Sequence, residues 1–127
     1  MKSVNFKIIV ITAGTIMLAT SVQAACTGSN GRGWASGSGD GKFEMLASDR
    51  ACSIPFPNFI VGERRTPATE VALTTAPRNG TVGIAAGQGL VYTPNAGFKG
   101  NDRFCTRNTT PAFAGQSLSG CITVTVK

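Results

Sequence analysis

The sequence predicts an all-β protein, an antiparallel β-sandwich of about seven short strands with two disulfide bonds. Short apolar–polar alternations recur between Gly, Pro and Asn residues, and no stretch after residue 24 keeps a helical period beyond a turn or two. Four cysteines follow an export-type segment. Short strands at this spacing, separated by turn residues, are typical of sandwich domains.

Residues 1–24 have the pattern of a signal peptide. Two lysines precede an apolar run over residues 8–18, and a small-x-small cleavage pattern ends at Ala24. The run is shorter than the roughly 20 residues that span a bilayer. We therefore expect cleavage, a periplasmic or extracellular location, and no integral membrane segment. Gln23 stands where a lipobox before Cys26 has an aliphatic residue, which favours a free protein over a lipoprotein.

The charge of the chain argues against a nucleic-acid partner. Without residues 1–24 the net charge of +6 falls to +4, and apart from Arg64-Arg65 the remaining basic residues are scattered. Nucleic-acid binding usually uses a clustered basic stripe. Mild basicity suits an envelope with anionic polymers, and it also suits solubility alone.

Residues 25–41 are predicted to be a Gly/Ser-rich N-terminal arm, and residues 42–127 the β-domain. Glycines at positions 28, 31, 33, 37, 39 and 41 favour flexible chain or long turns. Trp34 is expected to fold back and cap the core, since large aromatic side chains are usually buried. The alternative is a presented ring that stacks on a sugar or a partner.

The strand segments follow from alternation and turn residues. They are predicted at residues 43–47, 52–56, 59–61, 69–75, 82–84, 90–92, 104–106 and 122–126. Prolines at positions 55, 57 and 94 end or edge their strands. Asn79-Gly80 is a turn dipeptide.

The four cysteines, Cys26, Cys52, Cys105 and Cys121, predict two disulfides and no metal site. The chain has no Cys-x-x-Cys pair and no histidine. Phe104 and Ile122 are expected to face the core, so Cys105 and Cys121 point to the other face of neighbouring antiparallel strands and can meet there. Cys26 would then pair with Cys52. Two other pairings are compatible with the sequence.

Several motifs resemble the bacterial Ig-like, cadherin-like repeat domains of surface and secreted proteins. They are Pro77-x-x-Gly80-x-Val82, Tyr92-x-Pro94, Gly97-Phe98-x-Gly100-x-Asp102-x-Phe104 and Val124-x-Val126. The likeness covers roughly residues 68–127, and residues 25–67 match only loosely. It implies a seven-stranded Greek-key sandwich used as a spacer or adhesive module. A single copy with cysteines departs from the family and points to a small, freely secreted module.

The corner motif has a structural interpretation. Gly97 and Gly100 allow the positive φ of a tight turn, and Asp102 can close that turn by accepting backbone hydrogen bonds. The alternative is a calcium ligand. Calcium takes six to eight oxygens, and no Asp-x-Asp run is present, so turn closure is the favoured role and no metal is expected.

Nothing in the sequence builds an active site. Without histidine or a free thiolate there is no Ser-His or Cys-His pair, and the spacing of the acids suggests no carboxylate pair. We therefore expect a non-catalytic module, without cofactor, that binds a protein or a cell-envelope glycan in an adhesive or structural role. The alternative is a small disulfide-stabilised inhibitor of an extracytoplasmic enzyme.

The candidate contact residues lie in three places. The first is the segment between Cys105 and Cys121, which is predicted to be a long hairpin loop and carries Asn108, Phe113 and Gln116. Phe113 is either exposed there or tucked over the end of the sandwich. The other two places are Trp34 and the Arg64-Arg65 pair.

Overall fold

The computed structural model describes residues 26–85 and 88–127, which are mostly β-structure. The described residues form ten strands and three short 3-10 helices. The strands are β1 Thr27–Ser29, β2 Gly39–Met45, β3 Cys52–Ile54, β4 Asn58–Val61, β5 Arg64–Pro67, β6 Glu70–Thr75, β7 Gly80–Ala85, β8 Gly89–Pro94, β9 Gly100–Thr109 and β10 Leu118–Val126. The 3-10 helices are Trp34–Ser36, Ala47–Asp49 and Pro111–Phe113.

Five strands make the first sheet, in the order β1-β2-β10-β9-β6. Strand β2 runs parallel to β10, and the other neighbours are antiparallel. The alternation of Val and Thr along β10 sets its two faces, with every second residue from Leu118 to Val126 buried. Strands β2 and β9 show the same strict alternation, so one face of this sheet is covered and the other faces solvent.

Three strands make the second sheet, in the order β3-β8-β7, and β4 and β5 form a separate hairpin. Buried side chains of both larger sheets belong to one core. The rings of Tyr92 on β8 and Phe104 on β9 stack at 6.2 Å between centroids, which places β8 over β9. The core residues are Trp34, Phe43, Met45, Cys52, Ile54, Phe56, Phe59, Ala68, Leu90, Tyr92, Phe104, Leu118, Ile122, Val124 and Val126.

The strand count and one strand direction differ from the sequence-based prediction. The described residues contain ten strands where about seven were expected, and β2 and β10 are parallel where an antiparallel arrangement was expected. Strands β1 and β5 escaped the prediction because Thr-Gly-Ser and Arg-Arg-Thr-Pro carry no apolar alternation. Their strand conformation comes from pairing with β2 and β4, which is a tertiary contact.

The Gly/Ser-rich segment belongs to the folded domain, so the predicted boundary between residues 41 and 42 falls inside β2. Trp34 is buried in the core, as the capping interpretation predicts, and its Nε1 donates to the carbonyl of Asn30 at 2.7 Å. A side chain on Gly39 would collide with the indole ring. Glycine is therefore required there for close packing, and the composition that suggested a flexible arm serves the core. The predicted signal peptide, residues 1–24, and Ala25 lie outside the described residues.

Two disulfides join the four cysteines, with the predicted pairing. Cys105 and Cys121 are direct partners on the outward face of β9 and β10, as the parity of Phe104 and Ile122 requires. The Cys26–Cys52 bond ties the segment before β1 in the first sheet to β3 in the second. Among the described residues, no helix has the length and apolar character to cross a membrane.

Candidate functional site

Asp102 lies in β9 and holds a corner of the chain with its buried carboxylate. Oδ1 accepts from the backbone N–H of Arg78 at 2.9 Å and of Arg103 at 3.0 Å. Oδ2 accepts from the backbone N–H of Asn79 at 3.0 Å and from the Tyr92 hydroxyl at 2.7 Å. The predicted role, acceptance of backbone hydrogen bonds at a turn, is therefore present at a different corner. That corner is where the chain crosses from β6 to β7, in the other sheet.

The Asn79-Gly80 dipeptide and the two turn glycines have separate places. Asn79-Gly80 lies at the crossing between sheets and does not form a two-residue hairpin. Gly97 and Gly100 have φ values of 82° and 130°, the positive φ that the corner motif predicts. Gly97 precedes β9, and Gly100 is the first residue of that strand. Asp102 therefore lies within β9 and not in the turn before it.

The Tyr92 hydroxyl and the Asp102 carboxylate form a buried, hydrogen-bonded pair in the core. Burial, and then the hydrogen bond and negative charge of Asp102, raise the pKa of the Tyr92 phenol far above its ordinary value of 10.0. The Tyr92 hydroxyl thus keeps its proton and donates it in the hydrogen bond to Asp102. In residues 26–85 and 88–127 no group of three or more Cys, Asp or Glu side chains could hold a metal ion.

Two predicted contact residues are buried, which corrects their assignment. Trp34 has 6% of its surface exposed and caps the core. Asn108 is fully buried on the inward face of β9, and its Nδ2 donates to Thr106 Oγ1 at 3.0 Å and to the Leu118 carbonyl at 2.9 Å. Neither side chain is available to an external ligand in this structure.

The predicted long loop between Cys105 and Cys121 is shorter than expected, because β9 continues to Thr109 and β10 begins at Leu118. The connection contains the 3-10 helix Pro111–Phe113. Phe113 is half-buried and stacks on Phe59, with ring centroids 5.0 Å apart and planes 10° from parallel. The tucked alternative for Phe113 is therefore the one observed, and Gln116 remains exposed.

The β4–β5 hairpin carries the exposed Arg64-Arg65 pair. In its register Val61 opposes Arg64 and Ile60 opposes Arg65. Ile60 and Val61 are 59% and 58% exposed, more than the other large hydrophobic residues described. Phe59 is buried at the base of the hairpin against Phe113, so the hairpin is anchored at one end and presents its tip to solvent.

The hairpin and the β9–β10 connection enclose a cleft of about 340 Å³, which we call the hairpin cleft. It is lined by Ala35, Phe59, Ile60, Val61, Phe113, Gln116, Ser117 and Leu118. The structure thus brings Phe113 and Gln116 together with the hairpin that carries Arg64 and Arg65, although these residues are far apart in sequence. Phe59, Phe113 and Leu118 give the cleft an apolar part, and Gln116 and Ser117 give it a polar part. Arg64 and Arg65 lie on the neighbouring strand of the hairpin, opposite Val61 and Ile60.

Ile60 and Val61 were not among the sequence-based candidates. One signal could have found them: residues 59–61 are three consecutive apolar residues in a short strand. Because successive side chains point to opposite faces, such a run cannot bury all three against one core.

Comparison with known proteins adds no relative: no protein-family model, no curated protein and no solved structure matches this chain. The two disulfides are typical of a protein that works in an oxidising compartment.

Proposed function

We propose that this protein is a non-catalytic binding module with an Ig-like sandwich fold, which acts outside the cytoplasm and recognises a protein or an envelope glycan through the hairpin cleft. The fold part of the proposal is supported by the strand orders β2-β10-β9-β6 and β3-β8-β7. In Ig-like domains strands A, B, E and D form one sheet and strands C, F and G the other. Here β3-β8-β7 has the order B-E-D and β10-β9-β6 the order G-F-C, with β2 next to the strand in the G position. The extra strands are β1 and the β4–β5 hairpin.

The observation that carries the functional proposal is the exposed tip of the hairpin. Two β-branched residues, Ile60 and Val61, are more than half exposed in a domain that buries most of its large apolar side chains. Scattered single exposed hydrophobic residues need no explanation, but here two consecutive ones, which point to opposite faces of the hairpin, both line one cleft and lie opposite two arginines in the strand register. Arginine is enriched at protein interfaces, and the exposed aliphatic side chains beside it offer apolar area that a partner can bury.

The inhibitor alternative has less support. It requires a constrained loop that can enter the cleft of a target enzyme. The β9–β10 connection instead packs back on the hairpin through the contact between Phe113 and Phe59. An interaction surface made by two elements side by side suits adhesion or structural binding better than insertion.

A pull-down from an envelope extract tests the proposal. The wild-type protein should capture a partner that the double variant Ile60→Ser/Val61→Ser does not. The matched control is Leu46→Ser, because Leu46 is 53% exposed and lies outside the cleft. Capture of a glycan or structural protein supports the proposal, whereas capture of a hydrolase that loses activity supports inhibition. Equal capture by all variants would contradict a role for the hairpin.

A defined probe separates glycan from protein recognition. Alginate is a polyanion without protein components, and neutral dextran is its control. If the ligand is an anionic glycan, alginate should bind and Arg64→Ser/Arg65→Ser should weaken it by about tenfold, since each surface cation contributes about 1 kcal/mol or less. If the ligand is a protein, the arginine variant should weaken capture from the extract while alginate shows no binding to either form.

A further inference from the structure

Strand β6, at the end of the first sheet, leaves core-facing apolar side chains uncovered. Leu73 opposes Thr106 and Val71 opposes Asn108, and both of these β9 partners are buried. Residues opposite each other in a ladder share a face, so Val71 and Leu73 point toward the core. Leu73 is nevertheless 38% exposed and Val71 is only partly buried.

Strand β7, at the end of the second sheet, also has apolar side chains that point toward the core and yet are exposed. Ile84 opposes Leu90 and Val82 opposes Tyr92, and both β8 residues are fully buried. Ile84 therefore points to the core side, yet it is 49% exposed. Strand β8 lies over β9, and the Cys26–Cys52 bond holds β3 at the β1 end of the first sheet, so β7 and β6 lie together at the opposite end. Within residues 26–85 and 88–127 the core is thus open along this side, which we call the β6–β7 side.

The edge of β7 also lacks the devices that protect other sheet edges. In the described part of the chain the other ends of the two larger sheets are β1 and β3, which are three residues long, and β6, which has a register shift and Glu70. Strand β7 has six residues, continuous register and no charge or proline. Short length, charges, prolines and bulges are what normally prevent edge-to-edge pairing.

The charges at the ends of this side indicate which occupant fits. Between residues 70 and 85 the ionisable side chains are Glu70 and Arg78. Glu70 lies beside Thr109, and Arg78 binds Asp102 through its backbone. Thr109 is seven residue steps along β9 from Asp102, about 23 Å, so Glu70 and Arg78 lie toward opposite ends of this side. A two-fold axis normal to the sheets would bring Glu70 of one copy toward Arg78 of another.

We propose that the β6–β7 side is a homodimer interface, in which β7 pairs antiparallel with β7 of a second copy. The core-facing side chains of both copies must lie on the same face of the joined sheet. Each even-numbered residue of β7 therefore pairs with an even-numbered residue of the second copy, and each odd-numbered residue with an odd-numbered one. The register centred on Gly83 places Gly83 opposite its own copy and Val82 opposite Ile84 of the second copy. The uncovered side chains of both copies then close one continuous core, and no like charges meet.

Sedimentation velocity of the wild-type protein and two lysine variants, from about 10 µM to about 1 mM, tests this interface. The wild type should shift from monomer to dimer across that range. Ile84→Lys should weaken dimerisation by about tenfold or more, because it buries a charge at the new core. Ile60→Lys, at an isoleucine of the hairpin that is exposed still further, should dimerise like the wild type. Circular dichroism checks that each variant is folded.

A cysteine probe tests the register. Gly83 has open space around its Cα, so Gly83→Cys should fold and form a disulfide-linked dimer under mild oxidation. Ile60→Cys should not. A wild type that stays monomeric up to about 1 mM would overturn the proposal, as would equal weakening by both lysine variants. A monomer of the uncleaved chain in which the β7 amides that do not bond β8 resist hydrogen exchange would assign the side to residues 1–25 of the same chain. Capture of an apolar peptide without self-association would assign it to another protein. Either outcome rejects the homodimer.

Discussion

Removing the carboxylate of Asp102 should destabilise the fold more than any surface change, because four donors depend on it. Asp102→Ala leaves the buried Tyr92 hydroxyl and the N–H groups of Arg78 and Asn79 without their acceptor. A hydrogen bond to a charged group contributes about 1.5–3 kcal/mol, and a buried orphan donor costs about 1–3 kcal/mol. Since these losses overlap and water reaches the corner, we expect a loss of about 4 kcal/mol in the free energy of unfolding.

The loss should be visible as a large fall in melting temperature. For a domain of roughly 100 residues, 1 kcal/mol corresponds to about 4–8 °C, so Asp102→Ala should melt at least about 15 °C below the wild type. Thermal and urea unfolding followed by circular dichroism, with the disulfides kept oxidised, measures this. The control is Asp40→Ala, which removes the same charge from an exposed position of β2 and should change stability by less than about 0.5 kcal/mol.

A double-mutant cycle with Tyr92→Phe tests the mechanism. Alone, Tyr92→Phe should cost about 1.5 kcal/mol, because one short hydrogen bond to the carboxylate is lost. In the Asp102→Ala background the same change should cost little, since it then removes an orphan hydroxyl, which gives a coupling energy of about 1–3 kcal/mol. Additive effects, or an Asp102→Ala variant as stable as Asp40→Ala, would refute the view that this carboxylate joins the two sheets.

Three further changes have clear expected outcomes. Gly39→Ala should lower the free energy of unfolding in urea by about 1–3 kcal/mol, because the new methyl group meets the indole ring of Trp34. Gly83→Ala should be neutral or slightly stabilising, since the space around Gly83 is open. Similar effects of the two changes would contradict the packing argument. Replacing Cys105 and Cys121 together by Ser should cost about 3 kcal/mol, the value for a closed loop of this length, and an unchanged urea midpoint would show that the bond constrains nothing. Stability should fall as pH rises above about 10, because the Tyr92 phenol ionises there in the unfolded chain while the folded phenol, whose pKa is raised, keeps its proton. In Tyr92→Phe this loss of stability at alkaline pH should be smaller. An identical pH profile in the variant would contradict the raised pKa of Tyr92.

Local patterns were sufficient for the β character and most strand positions, and they favoured the observed disulfide pairing over two alternatives, on the assumption that β9 and β10 are neighbours. The alternation of Ile122, Val124 and Val126 with threonines predicts which face is buried, and the same parity places Cys105 and Cys121 on the opposite face. These features depend only on the two-residue repeat of a strand, which is written in the chain itself. The positive φ of Gly97 and Gly100 is equally local.

The candidate site could not be obtained in this way. Asn108 and Gln116 lie in the same segment between Cys105 and Cys121, but Asn108 is fully buried and Gln116 is exposed, because β9 continues past Cys105 to Thr109. Val61 and Phe113 are 52 positions apart in the sequence and line one cleft because Phe59 stacks on Phe113. Which of these residues are buried, and which meet at the cleft, depends on where other strands end. No single segment of the sequence encodes this.

By itself the amino-acid order determined an all-β chain, cross-linked twice, whose alternating residues distinguish inside from outside. The tertiary structure alone decided that Gly-rich chain around Trp34 is core, that Asp102 holds a corner 24 residues away, and that Ile60 and Ile84 stay exposed. The physical reason is the separation along the chain over which each effect acts. Alternation and turn preference act between neighbouring residues, whereas burial depends on which distant strands arrive to cover a side chain, and two edges of this molecule are left without such a cover.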